Sequence, residues 1–182
     1  MRFIDIHKDR WHALGGEDGP PVSITPDAHL LLDSNQWHAA RAQWPHGLPV
    51  GIRLANDQDV EEIAADLPRF GLVALHFPKW VDGRAYSQAR LLRSRYRFAG
   101  EIRATGEVLV DMVPLLARTG FDSVLLRHDQ AIDAAERALS FFPGHYQGDA
   151  ADNRPLFARP AGTAEALAKA PAQEFINAGA SI

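Results

Sequence analysis

Short apolar runs alternate with longer amphipathic stretches through the middle of this chain, and that alternation constrains the fold more than any other sequence feature. The apolar runs cover residues 49–54, 72–77, 100–104 and 121–126. Strands that alternate with helices in this way indicate a mainly parallel sheet joined by right-handed crossovers. The sequence therefore predicts an α/β fold of repeated β–α units. Four units are too few for a complete eight-fold barrel, so we expect an open sheet or a partial (β/α) barrel.

The length of the chain and the composition of its end predict one domain followed by a tail. At 182 residues the chain can bury a core without help from disulfides or metal ions. We expect a single α/β domain over residues 1–160, in which an N-terminal extension adds strand and helix to the repeated units. The alternation fades after Pro143, and residues 161–182 are rich in alanine and glycine. These last residues are expected to form a C-terminal tail.

Charge and composition argue against several classes of function. The net charge of −4 disfavours general affinity for nucleic acid or for an anionic membrane. The absence of cysteine excludes a cysteine-ligated iron–sulfur cluster. No nucleotide fingerprint and no paired-histidine metal motif occurs, so the cofactor stays unknown and no metal site is predicted. The N-terminus lacks a secretory signal, and no apolar run is long enough for a membrane helix, so a cytoplasmic protein is expected.

Cationic and small residues are predicted to meet where the strands end. Ligands of parallel α/β sheets bind at the carboxyl ends of the strands. Arginine side chains bind oxyanions through paired hydrogen bonds, and a glycine lets the backbone approach closely. The residues predicted to bind a small oxyanion are Asp82, Gly83, Arg84, Arg103, Gly106 and Arg127. Asp82 could equally cap a helix or pair with Arg84 or Arg103.

Three further arginines lie on the helix predicted over residues 85–96 or directly after it. Arg90, Arg93 and Arg97 are spaced at i, i+3 and i+7. This spacing places them on one helix face, beside an apolar stripe that faces the core. The spacing leaves open whether this face is only solvated or contacts a partner protein. No residue is predicted to be catalytic.

The chain resembles a bacterial family of uncharacterised proteins over about residues 48 to 158. The most specific part is the string Asp-Gly-Arg, Ala-Arg-Leu-Leu-Arg and Arg-Tyr within residues 82–96. Members of that family are labelled as oxidoreductases associated with sulfite reduction, and they are encoded beside assimilatory sulfite reductase and sulfonucleotide reductase. This chain departs from the family pattern at Met112, where an amide is usual, and at Trp80, where phenylalanine is usual.

The resemblance implies an accessory protein of assimilatory sulfite reduction that binds a small oxyanion, sulfite reductase or sulfonucleotide reductase. Two alternatives stay open. The first is a (β/α)-type oxidoreductase that uses a diffusible cofactor. The second is a non-catalytic homo-oligomeric module, with an interface formed by Trp11, Trp37, Trp44 and the proline-rich C-terminal arm.

Overall fold

One seven-stranded sheet organises the protein, and every pair of neighbouring strands in it is parallel. The structure is a computed structural model that describes residues 1–14, 24–141, 147–150 and 154–158. The strands are β1 (Arg2–Phe3), β2 (His12–Ala13), β3 (Leu30–Asp33), β4 (Val50–Leu54), β5 (Phe70–Phe77), β6 (Glu101–Gly106) and β7 (Ser123–Val124). Their order across the sheet is β1-β7-β6-β5-β4-β3-β2. The sheet curls into an open half-barrel, which confirms the predicted α/β fold.

Helices cover the convex face of this half-barrel. The α-helices are α1 (Ser34–Ala40), α2 (Arg84–Ser94), α3 (Val113–Thr119) and α4 (Ile132–Ser140), and the 3₁₀ helices are Val60–Arg69, Val110–Met112 and Leu156–Ala158. From β2 to β7 each connection leads to the next strand in the same direction. Right-handed crossovers of this kind place all the intervening helices on one face of the sheet. Consecutive helices such as α2 and α3 are therefore neighbours.

The strands differ from the predicted runs mainly at their ends. β5 begins at Phe70, two residues early, because the preceding 3₁₀ helix ends at Arg69 and Phe70 already has extended backbone angles. β6 continues to Gly106, two residues past its predicted end, since its last two residues pair with the end of β5. β7 pairs only at Ser123 and Val124. The longer β6 changes the position of Arg103, as described below.

The core lies between the sheet and the helices. Alternate strand residues such as Ile52, Leu75 and Ile102 are fully buried against helix residues such as Trp37 and Leu92. Full burial of side chains of this size stabilises a fold by roughly 1.5–3 kcal/mol each. The period-two alternation of strands therefore assigns one set of residues to this core and the other set to the concave face.

The N-terminal segment covers part of the concave face. Trp11 is buried there, and its ring would lie 3.1 Å from a Cβ atom at Gly51 and 3.4 Å from one at Gly71. Trp37 and Trp44 are also buried within the chain. The interaction-module hypothesis is therefore wrong in placing these tryptophans at an oligomer interface, because their side chains pack inside the protein.

Candidate anion-binding site

The loop between β5 and α2 contains Asp82 and Gly83, which were predicted to bind an anion together with Arg84 at the start of α2. In the structure Asp82 and Arg84 bind each other. The Arg84 guanidinium donates to both oxygens of Asp82, with Nε–Oδ1 and Nη2–Oδ2 distances of 3.0 and 2.7 Å. The hydrogen bond from Arg84 lowers the pKa of Asp82 to about 2. Gly83 lies between them and precedes the first turn of α2. The alternative in which Asp82 is the salt-bridge partner of Arg84 is therefore confirmed.

Arg127 follows β7 and is held by two carboxylates. It donates to both oxygens of Asp129 at 2.6 Å and to Oε2 of Glu107 at 2.8 Å. The hydrogen bond from Arg127 lowers the pKa of Asp129 to about 2, and the two carboxylates raise the pKa of Arg127. Glu107 follows the end of β6, so this set of ion pairs joins the ends of two neighbouring strands.

Arg103 does not lie at the strand ends. It is the third residue of β6, and its side chain is buried at 4% exposure on the concave face. It forms an ion pair with Asp9 and binds Glu101 at 3.0 Å, while Arg2 binds the other oxygen of Glu101 at 2.6 Å. Burial raises the pKa of Glu101, but hydrogen bonds from Ser123 and the charge of Arg103 outweigh that effect and lower it. These ion pairs compensate the charge of Arg103 and connect the N-terminal segment to the sheet.

Gly106 ends β6 with a backbone conformation that suits only glycine. Its φ angle is +92°, and a Cβ atom there would lie 2.3 Å from the carbonyl oxygen of Phe77 and 2.7 Å from the His76 ring. The next amide, of Glu107, donates to the same Phe77 oxygen at 2.8 Å. The close backbone approach predicted at Gly106 is therefore an approach to the neighbouring strand.

The arginines that were predicted to bind an anion at the carboxyl ends of the strands thus have their own acidic partners. Arg84, Arg103 and Arg127 each contact at least one carboxylate through charge-assisted hydrogen bonds. A carboxylate that binds both arms of a guanidinium occupies the donors that would otherwise bind an oxyanion. The carboxyl ends of the strands therefore carry less uncompensated positive charge than the sequence indicates.

A cavity of about 710 Å³ lies instead on the helix side of the molecule, between α2 and α3. We refer to it as the α2–α3 cavity. Twelve of the described residues line it: Arg90, Arg93, Ser94, Arg97, Leu115, Arg118, Thr119, Gln147, Gly148, Asp149, Ala150 and Pro155. The structure therefore brings the three predicted helix arginines together and adds a fourth, Arg118, from α3.

Arg93 has a structural role in the wall of this cavity. Its guanidinium donates to the carbonyl oxygens of Gly120 and Gly100 at 3.0 and 2.9 Å, and also to that of Phe98. It forms an ion pair with Asp122, whose carboxylate accepts the amide hydrogen of Ile102 as well. Arg93 therefore fixes the end of α2 to the chain around β6 and β7, and its charge is compensated.

Arg97 occupies an unusual backbone position beside the cavity. Its φ angle is +53°, in the left-handed region, just after the C-terminus of α2. The following amide, of Phe98, closes the helix end by donating to the carbonyl oxygen of Leu92 at 2.9 Å. Glycine is the usual residue at such a helix end. The chain thus carries an exposed arginine where local geometry favours glycine.

Three of the four arginines in the described lining lack an acidic partner within the described part of the chain. Among the described residues, no ion pair involves Arg90, Arg97 or Arg118. The Nε atom of Arg118 is buried and has no hydrogen-bond partner there. Asp149 is the one carboxylate among the lining residues that the structure describes. The α2–α3 cavity therefore has an excess of positive charge.

Arg118 is not among the residues predicted from the sequence. It lies in the last turn of α3, three residues after Leu115 and one before Thr119, so all three line the cavity from one helix face. The available signal was the order of the β–α units, because consecutive helices on one face of a sheet are neighbours. That order predicts that polar residues of α3 lie beside the arginine face of α2.

A comparison with family models identifies the chain. Residues 51–157 match the model of a family described as bacterial protein of unknown function (DUF934). The chain belongs to this family. The DUF934 match includes the twelve described residues that line the α2–α3 cavity, but not the N-terminal segment that carries Asp9 and Trp11. No curated protein and no solved structure matches the chain.

Two kinds of feature are absent from the part of the chain that the structure describes. It contains no group of three or more histidine, aspartate or glutamate side chains arranged to hold a metal ion. None of its helices has both the length and the apolar character that crossing a bilayer requires.

Proposed function

We propose that this protein binds a small oxyanion in the α2–α3 cavity and serves as an accessory protein of assimilatory sulfite reduction. The cavity carries the binding part of this proposal. The sequence resemblance of residues 48–158 to proteins labelled with sulfite reduction carries the biological part. In this role the protein would act together with sulfite reductase or sulfonucleotide reductase.

The decisive observation is the set of guanidinium groups that have no carboxylate partner among the described residues. Arg90 extends from α2, Arg97 from the turn directly after it, and Arg118 from α3 on the other side of the cavity. A guanidinium has five N–H donors and no acceptor, so an anion is its natural partner. The buried Nε of Arg118 strengthens the argument, since an unsatisfied buried donor costs about 1–3 kcal/mol.

The conformation of Arg97 supports a binding role independently. A non-glycine residue in the left-handed region costs roughly 1–2 kcal/mol relative to the right-handed one. Backbone strain of this kind is concentrated at functional sites. An arginine at this position places a charged side chain beside the cavity at a cost in stability that glycine would avoid.

Replacement of Arg97 by glycine tests both parts of this argument. We expect the affinity for sulfate or sulfite to fall about tenfold or more, because a hydrogen bond to a charged group contributes about 1.5–3 kcal/mol. We expect the free energy of unfolding to stay unchanged or to rise by up to about 1 kcal/mol, since glycine relieves the left-handed strain but enlarges the unfolded ensemble. Isothermal titration calorimetry and urea denaturation measure the two quantities.

Arg84→Ala is the matched control for that titration. Arg84 is an exposed arginine at the other end of α2, and its partner is Asp82. Its removal should leave oxyanion affinity unchanged. An equal loss of affinity in Arg84→Ala and Arg97→Gly would argue for general charge attraction. The absence of oxyanion binding by the unmodified protein would contradict the proposed binding role.

The biological part of the proposal is tested by deleting the gene in a bacterium that carries it. We expect the deletion strain to grow normally on cysteine but slowly when sulfate or sulfite is the sulfur source. The unmodified gene should restore growth on sulfate, and the Arg97→Gly gene should restore it only in part. Equal growth of the deletion strain and its parent on all three sulfur sources would argue against a role in sulfite reduction.

A further inference from the structure

The size of the α2–α3 cavity exceeds what an inorganic oxyanion needs. A volume of about 710 Å³ lies within the range of roughly 300–1,000 Å³ that is typical of sites for organic ligands. A single tetrahedral oxyanion bound to the guanidinium groups would leave most of this space to water. The cavity therefore has room for an organic group attached to the anion.

The charges in the lining suit a multiply charged anion. The charge of Arg93 is compensated by Asp122, so Arg90, Arg97 and Arg118 supply the available positive charge. Asp149 also lines the cavity. Three guanidinium groups suit a dianion better than a monoanion, and guanidinium forks bind the oxygens of a phosphate group through paired hydrogen bonds.

An apolar part of the lining supplies a surface for the organic group. Leu115, Ala150 and Pro155 line the cavity together with the arginines. Leu115 belongs to α3 and is 44% exposed, so its side chain is accessible to a ligand in the cavity. Specific sites for organic ligands combine an apolar wall with a few polar groups that fix the orientation of the ligand.

We propose that the natural ligand of the α2–α3 cavity is a dianionic organic ester, of which a phosphate monoester is the simplest kind. Its charged group contacts Arg90, Arg97 and Arg118, and its organic group packs against Leu115. This inference rests on the proposed anion-binding function, because it assigns a ligand class to the same cavity.

The test compares three probes on the full chain by calorimetric titration. Inorganic phosphate has the charge alone, adenosine has an organic group alone, and adenosine 5′-phosphate has both. We expect adenosine 5′-phosphate to bind at least about tenfold more tightly than inorganic phosphate, since apolar burial adds to the charge contacts. Adenosine is expected to bind more weakly than either anion. The variant Leu115→Ser should lose most of the advantage of the ester and keep its affinity for inorganic phosphate.

The possible outcomes separate this inference from the proposed function. Equal affinity for inorganic phosphate and adenosine 5′-phosphate, or an equal effect of Leu115→Ser on both, would overturn the organic ligand and leave the oxyanion site intact. No binding of any anion would overturn both proposals. The thermal midpoint of Leu115→Ser checks that this variant is folded. Leu91→Ser is the matched control, because Leu91 is an exposed leucine of α2 that does not line the cavity.

Discussion

Replacement of Arg103 by alanine is expected to lower the free energy of unfolding by about 3–5 kcal/mol, because it leaves the largely buried Asp9 without a counter-charge and Glu101 with Arg2 alone. Arg103 contacts both Asp9 and Glu101 on the concave face, and the side chains of all three are largely buried. Chemical denaturation at neutral pH measures the change. The affinity for oxyanions should not change once the variant is folded, since Arg103 does not line the α2–α3 cavity.

The acid response of the same variant provides a second measurement. The pKa of Glu101 is lowered in the folded protein, so this carboxylate contributes stability above its unfolded pKa and loses it as the pH falls through the folded value. The deficit of Arg103→Ala relative to the unmodified protein should therefore be largest at neutral pH and smaller near pH 3. Arg84→Ala is the control, since its exposed ion pair with Asp82 contributes little. Equal losses of stability in the two variants would contradict a structural role for Arg103.

The different position of Arg103 shows which part of this fold the sequence could not predict. The apolar pattern predicted that β6 ends near residue 104, which placed Arg103 at the carboxyl edge. The strand in fact extends to Gly106, so Arg103 lies within the sheet and not at its end. The alternation along β6 places its side chain on the concave face, where it is buried. Its partner Asp9 lies 94 residues earlier in the chain. No local pattern connects two residues at that separation, and only the folded sheet brings them together.

Local signals predicted the remaining edge contacts better. Asp82 and Arg84 are two residues apart, as are Arg127 and Asp129, and each pair forms an ion pair across a single turn. Short separations of this kind restrict the geometry enough that a pairing can be inferred from the sequence. Such a pairing was predicted as one alternative for Asp82, but none was predicted for Arg127.

The α2–α3 cavity combines a predictable part with an unpredictable one. Helical spacing placed Arg90 and Arg97 on one face, and the order of the β–α units makes α2 and α3 neighbours. The third wall comes from residues 147–150, where the sequence has no periodic pattern. A cavity formed by a helix pair and an irregular segment depends on where that segment packs. Its position therefore becomes visible only in the structure.

Replacement of Gly106 by alanine is expected to lower the free energy of unfolding by about 2–5 kcal/mol, from the cost of a left-handed backbone and of overpacking. The added Cβ atom would overlap the carbonyl oxygen of Phe77, which is a backbone atom of β5 and cannot rotate away. The same oxygen accepts the Glu107 amide hydrogen, so its displacement would also disturb the ion pair between Glu107 and Arg127. Denaturation midpoints in urea give the change.

Gly83→Ala is the matched control, because both glycines lie near the carboxyl ends of the strands, Gly106 as the last residue of β6 and Gly83 directly before α2. The φ angle of Gly83 is −85°, and a Cβ atom there would meet only the Tyr86 ring, at 3.7 Å. Alanine is compatible with that backbone and restricts the unfolded chain, but it is a poorer N-cap of α2 than glycine, so we expect Gly83→Ala to change the free energy of unfolding by no more than about 1 kcal/mol. Similar losses of stability in the two variants would show that the close packing around Gly106 is not the reason why Gly106→Ala destabilises the protein.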